Sequence, residues 1–293
     1  MTDRRQFLTT LLGAGAAGLA NGQSAAGLSP KGENIQFGLV TYMWGAEWDL
    51  PTLILNLEEA QVLGVELRVE HAHKVEPSLT AAQRADVRQR FEDSPVEVLG
   101  MGTNCEFHSA DPEVVKKNLA LAKEYIKLSH DIGGSGVKVK PNNLVKDVPK
   151  EKTLEQIGQA LAALGDYGLG FGQEIRLEVH GGVSDLGDIK RVMEVAGRDN
   201  VRVCWNSNAK DLDGGGIEAN FALVRDFLGR TTHVRDLKTE GYPWDKLAKL
   251  LVEVDYDGWV LLEATTKPED KVAALAEQKA IFQSLVAKAR AGS

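Results

Sequence analysis

The sequence has 293 residues, a formal net charge of −8, 43% hydrophobic residues and 26% charged residues. This composition is typical of a soluble globular protein, and the length suits one large α/β barrel as well as two smaller domains. The acidic balance argues against a nucleic-acid partner, which normally requires a basic face, and against binding to an anionic membrane surface.

The chain begins with a predicted targeting segment. The paired Arg4 and Arg5 precede an apolar run of small residues from 11 to 20, and alanine-rich sequence extends to Pro30. This pattern is typical of a twin-arginine signal peptide, and the run is too short for a good membrane span. We therefore expect residues 1–30 to be a signal peptide and linker that direct export to the periplasm, without stable membrane insertion. A disordered tail or an uncleaved anchor is the alternative.

After residue 30, a short β-rich run, a polar loop and an amphipathic helix alternate to the end of the chain. No linker divides this part, so residues 31–293 are expected to form one domain. Asp111 with Pro112, Thr153 and Ser184 are predicted to begin helices. The predicted strands are 36–44, 65–71, 96–103, 136–141, 174–180, 201–206, 231–237 and 259–264. The predicted helices are 50–63, 80–91, 112–132, 154–168, 186–196, 217–228, 244–254 and 268–287.

Strands that alternate with helices at this spacing predict parallel β/α units. Eight such units favour a single (β/α)8 TIM barrel, in which functional residues lie at the C-terminal ends of the strands. An open doubly wound sheet is the alternative, but no glycine-rich phosphate-binding turn follows the first predicted strand. Cys105 and Cys204 fall on predicted strands three and six, and we expect buried free thiols rather than a disulfide.

The last four predicted strands end in groups that can bind a metal ion, namely Glu178, Asn206, His233 and Glu263. A carboxylate buried at the end of an apolar strand needs compensation, and a divalent cation would compensate both glutamates together. Oxygen ligands with one histidine favour Mn²⁺, Mg²⁺ or Co²⁺, with Zn²⁺ as a further candidate. Each residue also has a structural explanation, since Glu178 could pair with a lysine and His233 could be a core histidine.

These residues, together with segment 64–68, resemble the xylose-isomerase-like superfamily of sugar isomerases and epimerases over nearly the whole chain after residue 30. The resemblance implies a metal ion held by Glu178, the sixth-strand residue, His233 and Glu263, and proton transfer by the two glutamates. The family usually has aspartate on strand six and histidine three residues later, where this chain has Asn206 and Ala209. Asn206 removes one negative charge, which is expected to weaken metal affinity and to leave the ion a stronger Lewis acid.

Other polar residues near predicted strand ends are candidate substrate ligands. Lys138 and Lys140 share one face of strand four, and His180 shares the face of Glu178. Arg235 could clamp a hydroxyl or carboxylate group, or pair with Asp236. The substrate-binding candidates are Lys138, Lys140, His180, Arg235, Glu70 and His71. The stretch 211–216 lacks the spaced ligands of a calcium loop and is expected to be a flexible connection over the barrel mouth.

The sequence therefore predicts a metal-dependent sugar isomerase or epimerase that abstracts a proton next to the carbonyl of a sugar or keto-sugar. Glu178 and Glu263 would act as base and acid. β-Elimination from a 3-keto-glycoside shares this first step and is one alternative, and a non-catalytic sugar-binding barrel is another. Metal-dependent phosphodiester cleavage is disfavoured because it needs more histidine and aspartate ligands than this chain provides. The expected partner is a small carbohydrate, and a homo-oligomer remains open.

Overall fold

Eight strands and eight helices alternate along the chain in the computed structural model, which describes residues 30–292. The predicted signal peptide lies outside the described residues apart from Pro30. Within residues 30–292 no helix is both long and apolar enough to cross a membrane. The strands are β1 Gln36–Val40, β2 Gly64–Arg68, β3 Glu97–Glu106, β4 Gly136–Lys140, β5 Glu174–Glu178, β6 Val201–Cys204, β7 Thr231–Val234 and β8 Trp259–Leu262. The helices are α1 Leu50–Glu59, α2 Ala81–Glu92, α3 Pro112–Asp131, α4 Lys150–Leu169, α5 Leu186–Ala196, α6 Gly216–Val224, α7 Trp244–Glu253 and α8 Lys271–Ala291.

The eight strands form one parallel barrel. Consecutive strands pair from β1 to β6, β7 pairs with β8, and β8 pairs with β1. The remaining seam between β6 and β7 is closed by the parallel bridges Asn206↔His233 and Val203↔Leu228. The predicted (β/α)8 TIM barrel is thereby confirmed, and the C-terminal ends of all eight strands meet at one mouth.

The barrel interior is apolar beside β1 and β8. Val40, Leu99, Trp259 and Leu261 form a buried cluster separate from the larger core between the sheet and the helices. Because β3 and β8 are not neighbours, these side chains meet across the barrel interior. A Cβ on Gly64 would lie 2.3 Å from the Trp259 ring, so only glycine leaves room for this packing. The charged residues of the interior lie on other strands, as described below.

The predicted helix starts are correct at one position and wrong at two. Asp111 caps α3 by accepting a hydrogen bond from the backbone N–H of Glu113, and Pro112 follows it. Thr153 does not cap α4, because that helix already begins at Lys150 with a polar first turn that hides its start. Ser184 does not cap α5, because the side chain of Asp185 accepts the hydrogen bonds of the first turn.

Both cysteines are buried free thiols, as expected from the sequence. Cys105 lies on β3 and Cys204 ends β6. Burial raises the pKa of both thiols, that of Cys105 to about 11, so neither thiol is ionised at neutral pH.

Candidate metal centre at the barrel mouth

Three of the four predicted metal ligands converge at the C-terminal ends of β5, β7 and β8. One ligand atom each from Glu178, His233 and Glu263 lies within 4.8 Å of the others. His233 Nδ1 is 3.5 Å from Glu263 Oε2 and 3.9 Å from Glu178 Oε1. Glu178 and His233 are buried, whereas the side chain of Glu263 is 16% exposed and faces the open side of the mouth. The three donors thus form one group that is reachable from solvent.

Asn206, the fourth predicted ligand, lies beside this group. It follows β6, forms a bridge with His233, and donates a hydrogen bond through Nδ2 to Glu178 Oε1 at 2.9 Å. In this orientation the amide nitrogen faces Glu178. A half turn of the amide group would present the oxygen instead, which is the atom that a metal ion requires.

Lys138 supplies a buried positive charge next to Glu178. Its Nζ lies 2.7 Å from Glu178 Oε2, and both side chains are almost completely buried. Burial by itself would raise the pKa of Glu178, but Lys138 and His233 outweigh this effect and lower that pKa to about 2. Glu178 is therefore ionised even without a metal ion. The sequence suggested a lysine partner for Glu178 as an alternative to metal binding. In the structure Glu178 both pairs with Lys138 and belongs to the cluster of metal donors.

Glu66, in the middle of β2, is a neighbour of His233 that the sequence analysis did not select. Glu66 Oε1 lies 3.3 Å from His233 Nε2, and neither carboxylate oxygen has a hydrogen-bond partner among the described residues. Burial lowers the pKa of His233, but the neighbouring carboxylates of Glu66 and Glu263 outweigh burial and raise it above its usual value. Glu66 lies two residues before Arg68 on one strand, so the period of two could have indicated that both face the interior.

Glu66 is placed to set the ring orientation of His233. A proton on Nε2 directed at Glu66 would leave the Nδ1 lone pair facing Glu178 and Glu263. We therefore expect Glu66→Gln to weaken Mn²⁺ binding by about tenfold or more, because outer carboxylates that orient a histidine ligand typically contribute 10- to 100-fold in affinity. Calorimetric titration with Mn²⁺ measures this change, with Glu97→Gln on the exposed start of β3 as the control. Unchanged affinity in Glu66→Gln would contradict this role.

The donor set fits a divalent cation. Two carboxylates and an imidazole are the ligand types that Mn²⁺, Co²⁺ and Zn²⁺ accept. His233 Nδ1 is buried and has no hydrogen-bond partner within residues 30–292, although it lies between two carboxylates. A metal ion in this position would give the buried nitrogen a partner, and Asn206 could add an oxygen after the half turn of its amide.

Two predicted substrate ligands, Lys140 and His180, lie beside the metal donors at the mouth. Lys140 ends β4, and its Nζ lies 3.3 Å from Asn104 Oδ1. His180 follows β5, and its Nδ1 lies 2.9 Å from Asn142 Oδ1. Both side chains are half-buried and remain accessible to a ligand. Their placement agrees with the strand faces that the sequence assigned.

Arg235 lies at the opposite side of the mouth, just after β7. Its Nη2 donates to the backbone carbonyl of Ser207 at 2.5 Å, and its guanidinium lies 5.5 Å from the centre of the Tyr242 ring. The alternative ion pair with Asp236 does not form, since Asp236 accepts hydrogen bonds from other residues. The charge of Arg235 therefore stays available to a ligand.

The two candidates after β2 are placed differently from each other. The half-buried His71 is held by a 2.9 Å hydrogen bond between its Nδ1 and the hydroxyl of Thr41. Glu70 is exposed, with a left-handed backbone (φ 64°), and its N–H donates to the carboxylate of Glu76. His71 thus has a fixed position, whereas the Glu70 side chain extends toward solvent.

Asp211 shows that the stretch 211–216 is not simply a flexible connection. It is fully buried in a short 3₁₀ helix, and its carboxylate accepts hydrogen bonds from the Tyr242 hydroxyl at 2.6 Å and the Asn208 N–H at 2.8 Å. Burial raises the pKa of Asp211 to about 6. The glycines that follow suggested mobility and hid the spacing of Asn208 and Asp211, which is that of a capping box.

The raised pKa of Asp211 predicts a pH-dependent stability. Between pH 4 and pH 6 the folded chain keeps the proton while the unfolded chain loses it, so the free energy of unfolding should fall as pH rises through this window, by about 2–3 kcal/mol. Asp211→Asn keeps both hydrogen-bond acceptances and should remove this part of the decline. Urea unfolding at pH 4, 5 and 6 compares the two proteins. A decline of equal size in both would show that other groups cause it.

Comparison with known proteins agrees with the fold. Residues 55–284 match the family model of the xylose isomerase-like TIM barrel, and the chain belongs to this family. A structure of L-ribulose 3-epimerase is similar with a TM-score of 0.77 and 15% identity, covering 88% of this chain and 96% of the other. The 3-keto-D-glucoside 4-epimerase from E. coli gives a TM-score of 0.72 and 14% identity, with 86% and 99% covered. The IolI protein with a bound zinc atom gives 0.70 and 17% identity, with 86% and 98% covered. No curated protein matches the chain in sequence.

Proposed function

We propose that this protein is a metal-dependent sugar isomerase or epimerase that abstracts a proton next to the carbonyl of a sugar or keto-sugar. The observation that carries the proposal is the convergence of Glu178, His233 and Glu263 at the barrel mouth. Structural neighbours that are sugar epimerases support it, as does a neighbour with a bound zinc atom. The metal would be Mn²⁺, Mg²⁺ or Co²⁺, with Zn²⁺ as a further candidate.

The two glutamates would move the proton. A divalent ion bound among the donors would polarise the substrate carbonyl and the adjacent hydroxyl. Glu178 and Glu263 end different strands, so they can address a bound sugar from different sides, one as base and the other as acid. Within residues 30–292 Glu263 forms no ion pair with a lysine, and it is partly exposed, whereas Glu178 is paired with Lys138. His180 and Arg235 would position the hydroxyl groups.

Exchange of carbon-bound hydrogen with solvent tests this proposal directly. The protein is incubated with D-fructose, D-tagatose and L-ribulose in D₂O, with and without Mn²⁺, and deuterium at the carbon next to the carbonyl is followed by NMR. We expect incorporation that requires Mn²⁺, together with formation of the epimer or the aldose. If Mn²⁺ bound but no sugar showed exchange, the non-catalytic sugar-binding barrel would replace this proposal.

A second candidate reaction is β-elimination from a 3-keto-glycoside. A 3-keto-D-glucoside 4-epimerase is among the structural neighbours, and elimination starts with the same abstraction of a proton next to a carbonyl. Incubation with a 3-keto-glycoside and Mn²⁺ separates the two reactions, because elimination releases the aglycone and epimerisation does not.

We also propose that the protein is exported to the periplasm through the twin-arginine pathway. The paired arginines and the apolar run from 11 to 20 support this proposal. Arg4→Lys with Arg5→Lys should leave the protein in the cytoplasm. The N-terminal sequence of the periplasmic form would locate the cleavage site, expected between Ala20 and Ala26. Equal periplasmic amounts of the variant and the original chain would contradict this route.

A further inference from the structure

Two cationic side chains at the mouth share one neutral partner. Arg68 ends β2 and Lys140 ends β4, with Asn104 on β3 between them. Arg68 Nη2 lies 3.0 Å from Asn104 Oδ1, and Lys140 Nζ lies 3.3 Å from the same oxygen. The two positive charges are therefore held next to each other. The sequence analysis selected Lys140 as a substrate ligand but did not select Arg68.

Neither cation has a carboxylate partner within residues 30–292. Arg68 is only 8% exposed, its Nη1 donates to the carbonyl of Gly102, and its Nε has no partner. Burial lowers the pKa of Lys140, and the neighbouring Lys138 lowers it further. Removing two like charges from water without a carboxylate in direct contact is costly. An anion that binds between them would remove this cost.

The charge balance of the mouth also favours an anionic ligand. The inner cations Arg68, Lys138 and Lys140 are matched in number by the carboxylates Glu66, Glu178 and Glu263. A divalent ion would therefore leave the centre with a net positive charge. Asn206 in place of an aspartate adds to the excess, because it contributes no negative charge.

We infer that Arg68, Lys140 and Asn104 form a subsite for a carboxylate group of the substrate. The substrate class would then be keto-sugar acids rather than neutral keto-sugars, an inference that rests on the function proposed above. Asn104 is exposed, so an incoming carboxylate can replace it as the shared partner of the two cations. The remaining donors, the Lys140 ammonium and the Arg68 guanidinium, match the two oxygens of one carboxylate. Lys140 lies two residues beyond Lys138, about 7 Å along the strand, so this group would bind above the metal donors.

Three sugars with the same carbon skeleton test the inference. D-Fructose, D-fructuronate and D-fructose 6-phosphate differ at C6, which carries a hydroxyl, a carboxylate or a phosphate. Binding to the Mn²⁺-loaded protein is measured by calorimetry at low and high NaCl. We expect D-fructuronate to bind at least tenfold more tightly than D-fructose, with an advantage that shrinks at high salt. Lys140→Met should remove most of this advantage, measured as the ratio of the two affinities.

Lys288→Met is the matched control, since it removes one exposed lysine near the C-terminal end of α8, away from the mouth. It should retain the preference for D-fructuronate. Equal binding of D-fructose and D-fructuronate, or retention of the preference in Lys140→Met, would overturn the carboxylate subsite but not the proposed sugar function. Tighter binding of D-fructose 6-phosphate would replace the carboxylate subsite with a phosphate subsite. Binding of none of the three sugars would count against both the subsite and the proposed sugar function.

Discussion

Lys138→Met is expected to lower the free energy of unfolding by about 3–5 kcal/mol when divalent ions are absent. This is the typical cost of removing one partner of a buried ion pair, because the other charge stays buried without compensation. Lys138 Nζ and Glu178 Oε2 are 2.7 Å apart, and neither side chain is measurably open to water. Urea unfolding in the presence of a chelator measures the loss.

Mn²⁺ should reduce this loss. A divalent ion bound to Glu178 would take over the compensation that Lys138 supplies, so Mn²⁺ should stabilise Lys138→Met more than the original chain. Lys210→Met is the control, since Lys210 pairs with Asp213 on the exposed surface and should contribute less than about 1 kcal/mol. A loss in Lys138→Met as small as that of the control would show that the pair is not a stabilising element. If Mn²⁺ stabilised Lys138→Met and the original chain equally, the ion pair between Lys138 and Glu178 would be independent of metal binding.

The strand-end pattern was sufficient to predict the barrel and the convergence of its donors. Glu178 ends β5, Glu263 follows the apolar strand β8, and His233 lies on β7. Parallel strands bring their ends to one mouth regardless of the details of packing. Most strands end earlier than predicted, as at β1, where Met43 adopts a left-handed conformation (φ 60°) and the chain leaves the sheet after Val40. The exception is β3, which runs to Glu106, three residues beyond its predicted end.

Side-chain partners on different strands could not be predicted in the same way. The contacts between Lys138 and Glu178, and between Glu66 and His233, depend on how far each strand is shifted against the next around the barrel. Local sequence does not encode this stagger. Arg68 was not predicted for the same reason, because it is connected to Lys140 only through Asn104 on the intervening strand β3.

Glu263→Gln is expected to lower kcat for proton exchange by about 10²- to 10⁴-fold, the usual contribution of a positioned general acid or base. The substitution preserves shape and an oxygen donor but removes the group that accepts and releases the proton. Glu263 is partly exposed and has no lysine partner in the part of the chain that the structure describes, so the variant should fold with nearly unchanged stability. Glu178→Gln should lose activity to a similar extent, but it also leaves Lys138 without its partner and should lose stability as well.

The difference between the two glutamates makes the test specific. Exchange is measured at saturating Mn²⁺ and sugar, so that weaker metal binding does not imitate a loss of proton transfer. Glu269→Gln, an exposed position in the loop after β8, removes the same charge from the same part of the mouth and should keep full activity. If Glu263→Gln retained the original kcat, Glu263 would be a metal ligand at most, and the proton would have to be carried by another group. Glu178 would then be the remaining glutamate among the three converging donors, although its pKa of about 2 makes it a weak base while Lys138 is in place.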